Sequence, residues 1–268
     1  MKTNITVSIC FLLILSFTGC IPMKTIEGDG NLVTKKINIT DFDKFSGYGG
    51  KMVINYEQSS NEAELTVVTD QNIFDIYSFE TKDKHLKVKP QRKYEKRYRI
   101  RPTEFTIKIN SSTIKQFDLA GDATLNVNSS LTAIEKLGIN IAGSGNANLP
   151  ERVEVGSIKT EIAGSGTINF AEMACSDYKG DIAGSGTLIL GGETDKVKLS
   201  IAGSGEVKAF SLQAKELSAS IAGSGDIEMT VIDKINVDIA GSGDVRYKGN
   251  PADVKKRIAG VGSVEKVE

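Results

Sequence analysis

The residues in this chain that look most chemical are a glycine-serine string that recurs. IAGSGN stands at 141–146, IAGSGT at 162–167 and 182–187, IAGSGE at 201–206, and IAGSGD at 221–226 and 239–244. LAGDAT at 119–124 and IAGVGS at 258–263 are looser copies. A glycine-rich loop can wrap backbone N–H groups around a phosphate. A P-loop also needs Lys-Ser/Thr after its last Gly, and no copy has it. A dinucleotide fingerprint needs a third Gly three residues on and a following helix, whereas the residues here alternate as a strand does. Nucleotide binding is not expected.

The residue after the last Gly varies, and three successive copies carry an acid there: Glu206, Asp226 and Asp244. Carboxylates stacked about 4.8 Å apart repel unless paired or metal-bound. With Asp238 beside the same turn, they are weak candidates for a Ca²⁺ site. Calcium-binding nonapeptide repeats, however, have a period of nine and an Asp in every copy. This column also reads Asn146, Thr167 and Thr187. Solvated acids beside Lys208 or Arg246 fit better, and neither a resident metal nor a cofactor is expected.

A different candidate is KVKPQRKYEKRYRIRP, residues 87–102, where Lys87, Lys89, Arg92, Lys93, Lys96, Arg97, Arg99 and Arg101 face Glu95 alone. Alternation puts Arg97, Arg99 and Arg101 on one face, with Tyr98 and Ile100 on the other. That stripe could hold acidic glycans or lipid phosphates. The preferred alternative is a charged outer face that keeps a sheet edge from pairing. The lone His85, in KDKHLKVK, reads as solvent-facing and supports neither a Ser-His-Asp nor a His-cluster argument. The surface acids follow the repeat, and no long insertion walls a cleft for paired carboxylates. No enzyme is expected.

The elements that would carry these residues are set by the repeat. The apolar residue opening each copy (Leu119, Ile141, Ile162, Ile182, Ile201, Ile221, Ile239, Ile258) recurs about every 20 residues. In INVDIAGSGDVRY the apolar residues alternate on both sides of the glycines, which predicts strand, turn, strand. A second column, Ala147, Ile168, Leu188, Val207, Ile227, Val245 and Val264, stands two places after the last Gly. Columns in phase at this period predict a parallel β-helix, a solenoid whose Ile and Val columns fill the interior and whose glycines make the corners. The serines of the corners read as structural. Residues 31–118 are strand-like but less regular. One continuous body over 31–268, with regular repeats from 119, is favoured over a separate N-terminal β domain.

The first residues are a separate object. MKTNITVSICFLLILSFTGC has Lys2, an apolar run and small residues before a Cys, which reads as a secretory signal over 1–19. Its FTGC ending resembles a bacterial lipoprotein signal, which implies cleavage before Cys20 and lipid on that residue. A plain signal peptide is the alternative. Residues 20–30 then read as a tether. Of the three cysteines only Cys175 stays in the body, so no intramolecular disulfide is expected. The 268 residues carry 33 bases against 34 acids, which gives no electrostatic basis for nucleic-acid binding.

FDKFSGYGGKMVINYEQ at 42–58, FTIKINSSTIKQFDLAGDATL at 105–125 and the serial IAGSG turns together resemble the putative auto-transporter adhesin, head GIN domain family, over about residues 42–264. The resemblance implies a right-handed β-helix related in shape to pectin lyases. It also implies no established catalytic residues and a role in cell adhesion. The expectation is a non-enzymatic, lipid-anchored envelope protein, at the outer membrane, acting as adhesin or surface scaffold. Its partners would be the membrane, through the lipid, and glycans or host and cell-surface components. A carbohydrate-binding or polysaccharide-degrading module is the alternative, and a purely mechanical envelope component is a third.

Overall fold

The computed structural model describes residues 24–95 and 97–268. The signal sequence, Cys20 and Lys96 lie outside the described residues. The first part of the chain forms β1 (Lys24–Glu27), β2 (Leu32–Asn38), β3 (Lys44–Gly49), β4 (Val53–Gln58), β5 (Glu64–Asp70), the short α1 (Gln71–Phe74), β6 (Tyr77–Lys82), β7 (His85–Pro90), β8 (Tyr98–Arg101) and β9 (Phe105–Ser111). The rest forms β10 (Gln116–Gly121), β11 (Thr124–Val127), β12 (Leu131–Gly143), β13 (Asn146–Gly164), β14 (Thr167–Gly184), β15 (Thr187–Gly203), β16 (Glu206–Gly223), β17 (Asp226–Gly241), β18 (Asp244–Lys248), β19 (Asp253–Gly260) and β20 (Ser263–Lys266). Among the described residues, no helix is long and apolar enough to cross a membrane.

Each glycine string is a corner between strands, and the corners lie in register. Ile141 pairs with Ile162, and the ladder continues through Ile182, Ile201, Ile221, Ile239 and Ile258, parallel throughout. The result is a β-solenoid of about eight turns with about 20 residues per coil. From Ile141 to Ile239 the Ile column is buried, as is the second column from Ala147 to Val264. Register shifts such as Leu149/Arg152 and Phe170/Met173 mark a further bend in each coil.

The first Gly of the corner is required twice over. From Gly143 to Gly241 its φ lies between +123° and +138°, and a β-carbon on Gly164 would overlap the Gly143 carbonyl oxygen. The corner serines keep their side chains exposed, while their N–H groups carry the ladder: that of Ser165 donates to the Gly143 carbonyl at 2.9 Å.

The parallel ladder does not begin at Leu119. β10 lies on β3, with Leu119 opposite Gly47 and Gly121 opposite Gly49; β11 lies on β4, with Leu125 opposite Ile54. FSGYGG is therefore another corner in the same line, and Gly49 has φ +133°. β3 and β4 lie in turn on β7 and β9, parallel again. Antiparallel strands then close this end: β6 on β7, β5 on β9 and β2 on β5. The chain lays down residues 44–58, leaves to build the cap and the outermost coil, and returns to place 116–127 on the other side of its first coil. That crossing explains why the N-terminal part looks irregular as sequence. Residues 24–27, expected as tether, form β1 and pair in parallel with β8.

The opposite end is open. Ile258 is 39% exposed where Ile239 is 3% exposed. Lys256 stands opposite the buried Val237, in a column that is apolar one coil earlier.

Candidate functional site

The sheet face that leads into each corner presents outward columns between its buried ones. Lys159, Lys179 and Lys198 are register partners on successive coils. Two residues on, Glu161, Asp181 and Ser200 form the next column. Lys159 pairs with Glu161, and Lys179 with Asp181 at 2.5 Å. The Glu161 bond holds the Lys159 ammonium above its ordinary pKa. Lys198 has Ser200 in place of an acid. Lys196, on the same strand face, and Lys234, two coils further, complete a set. Among the described residues, none of Lys196, Lys198 and Lys234 has a carboxylate within 4.0 Å.

These columns line a groove of about 990 Å³ that crosses the coils. Eight lysines and Arg257 line it, against Asp177 and Glu216 as the acids. Cations spaced by the strand separation of about 4.8 Å repel unless an anion lies between them. The arrangement can hold a chain of repeated negative charge, laid along the solenoid axis.

A second groove, of about 590 Å³, runs beside the first over the exposed alanine column Ala142, Ala163, Ala183, Ala202 and Ala222, with Tyr48 at its end. A third depression, also about 590 Å³, is lined by Tyr48, Tyr94, Tyr98, Lys87, Lys89 and Arg99 among others.

The acidic column has a structural occupation. The Asp226 carboxylate accepts the Asp244 N–H at 3.0 Å, and the Asp244 carboxylate accepts the Ser263 N–H at 2.8 Å. On earlier coils the same amide is satisfied by a glycine carbonyl, as Thr187 N–H is by Gly166. Glu206 pairs with Lys208 at 3.0 Å. Among the described residues, no three His, Cys, Asp or Glu side chains are grouped to hold a metal.

The arginine stripe is split. Arg101 reaches Glu27 at 3.4 Å; Arg99 is exposed on β8; Arg97 is exposed in the turn before it. Ile100 is buried behind them, as the alternation predicts. His85 is not solvent-facing. It is half-buried, its Nε2 lies 2.7 Å from Ser46 Oγ, and Ser46 also donates to Asp118 at 3.2 Å. Burial and then the Lys87 charge lower its pKa. The three types are those of a catalytic triad, but Asp118 holds the serine and not the histidine. The chain of bonds continues to Asn140, which donates to Asp118 at 2.7 Å, so it is a polar ladder from coil to coil.

The lysine groove is what sequence reasoning missed. The signal was present in SIKTE, DYKGD and KVKLS, which put Lys at one phase of three successive repeats. It emerges only when outward columns are aligned as well as apolar ones.

Comparison with known proteins agrees with the β-solenoid fold. Three solved structures cover 91% of this chain, and this chain covers all of each. One from Parabacteroides distasonis, described as a "putative lipid binding protein", is 33% identical with a TM-score of 0.86. A "putative adhesin" from Parabacteroides merdae is 30% identical with a TM-score of 0.84, and another from P. distasonis is 31% identical with a TM-score of 0.83. No curated protein matches the chain. The family model described as "Putative auto-transporter adhesin, head GIN domain" matches residues 41–149 and again 130–251, and the chain belongs to that family.

Proposed function

We propose that the protein is an exported, non-catalytic envelope solenoid, anchored by lipid on Cys20 at the outer membrane, that binds acidic polymers along its lysine groove. Acidic surface glycans are the ligand class that fits. The observation that carries the binding reading is the set Lys196, Lys198 and Lys234, three cations with no carboxylate within 4.0 Å among the described residues, although Asp177 and Glu216 are register neighbours of Lys196 and Glu216 of Lys234, in a groove where bases outnumber acids. A single exposed ion pair contributes only about 0–1 kcal/mol. A polymer that repeats its charge engages many at once, so affinity grows with length. The adhesin-like family and neighbours support a surface or envelope placement. The FTGC ending supports the lipid anchor.

An array of neutral and acidic polysaccharides, read together with a chain-cleavage assay, tests this. Binding is expected for acidic polymers only, to weaken with salt, and to fall at least about tenfold in Lys196→Ser/Lys198→Ser/Lys234→Ser. No shortening of any polymer is expected. Equal binding of neutral polymers would contradict the groove reading. Cleavage abolished by a carboxylate substitution would establish the degrading alternative.

A further inference from the structure

The described chain begins docked. Lys24 lies opposite Tyr98 and Glu27 opposite Arg101, in a two-stranded parallel sheet. In the sequence only three residues separate Lys24 from Cys20. The surface around Tyr98 is unusual in charge. Arg92, Lys93, Arg97 and Arg99 are exposed, and among the described residues none has a carboxylate within 4.0 Å. Glu95, in their midst, is engaged by Lys89 at 3.7 Å. Residues 1–23 contain no Asp or Glu that could supply one.

Aromatic rings accompany these cations. Tyr94 and Tyr98 meet edge to face with centroids 5.7 Å apart, and Lys93 Nζ lies 4.8 Å from the Tyr94 centroid. Tyr48, 39% exposed, lines the depression of about 590 Å³ that they share. Amphipathic rings beside free cations suit the headgroup level of a bilayer, where the ring meets the apolar boundary and the cation meets phosphate. Apart from Tyr48 on β3, these cations and rings sit on residues 91–104, which replace the tight glycine corner in the outermost coil, between β7 and β9. They are therefore at the capped end of the solenoid.

We propose that Arg92, Lys93, Arg97 and Arg99, with Tyr94 and Tyr98, form a membrane-seating surface for an anionic leaflet, the same leaflet that receives the acyl chains of Cys20. The seating rests on the anchoring reading above for its location, and on its own residues for its chemistry. The acyl chains would hold the protein at the membrane, and the basic patch would orient it against the headgroups. The anchored rod then stands on its capped end. Its lysine groove runs away from the membrane, and the open coil of β19 and β20 is the distal tip.

The test uses the full mature chain as Cys20→Ser, which removes the lipid and leaves the surface. It is mixed at low salt with phosphatidylcholine vesicles, with and without about 30% phosphatidylglycerol. Sedimentation with the anionic vesicles only is expected, and it should be lost in high salt. Arg92→Ser/Lys93→Ser/Arg97→Ser/Arg99→Ser should weaken it by roughly fivefold per cation, more than a hundredfold together. Lys208→Ser, on the strand beyond the corner and outside both basic surfaces, should leave it unchanged. The parent chain offers a check without substitution: anionic vesicles should protect the Arg92–Arg99 bonds from trypsin. Unchanged binding in the fourfold variant, or an equal loss in Lys208→Ser, would overturn the proposal, as would unprotected cleavage. Acylation is read separately from the mass of the mature N-terminus. A missing lipid and a missing surface therefore give different results.

Discussion

Gly203 shows how much of the repeat is geometry. Its φ is +124° and a β-carbon would meet the Gly184 carbonyl oxygen. Gly203→Val should lower stability in urea unfolding by about 3 kcal/mol or more, because strain and overlap act together. Ser204→Ala, one residue on, should stay within about 0.5 kcal/mol, because its side chain is exposed. These glycines were legible in the sequence because the motif repeats and only Gly tolerates that backbone. The lysines were not. An outward position tolerates any polar residue, so nothing in one coil marks Lys198 as different from Lys208, which has Glu206 at 3.0 Å. The difference lies in which side chain the adjoining column offers, Ser200 in one case and an acid in the others.

Elements show the same division between local and distant information. Strands β12 to β17 follow from period-two alternation within each repeat. The placement of β3 and β4 does not, because their partners lie far along the chain: Ser46 meets Asp118, 72 residues away. Asp70 holds part of that capping region. Its buried carboxylate accepts the Gly30 N–H at 2.9 Å and the Thr103 N–H at 2.8 Å, tying the segment after β1 to the body. Burial pushes its pKa up, but these bonds and the Thr103 hydroxyl outweigh burial and hold it below the ordinary carboxylate value. A depressed folded value means its contribution is fully present above the unfolded carboxylate pKa near 3.9. The contribution is lost as pH falls through the lower folded value. Asp70→Asn should therefore be destabilised at pH 7 and converge with the parent in strong acid, as unfolding across that range would show.

At the open end, Lys256 points where Val237 points one coil earlier. An inward charge on an edge strand blocks growth by strand pairing. Lys256→Ile, beside the already exposed Ile258, Val254 and Val261, should produce end-to-end dimers. Light scattering after size exclusion would detect them, and a strictly unchanged mass would show that the charge is not the guard.

The whole molecule reads as a rod with two different ends and a charged side. Antiparallel strands close one end, where the described chain also begins. The other end is a bare coil guarded by a lysine. The side carries a lysine column, an acid column and an alanine column in parallel, because every outward position is repeated at the strand spacing. A solenoid converts one residue choice per repeat into a linear array, which suits linear ligands. The central claim is that the lysine array binds an acidic polymer. Calorimetric titration with one acidic polysaccharide over a series of salt concentrations tests it most directly, comparing the parent with Lys196→Ser/Lys198→Ser/Lys234→Ser. The account predicts binding that weakens steadily with salt in the parent, and a variant that binds at least about tenfold more weakly with a shallower salt dependence. Equal affinity and equal salt dependence in the two proteins would contradict it.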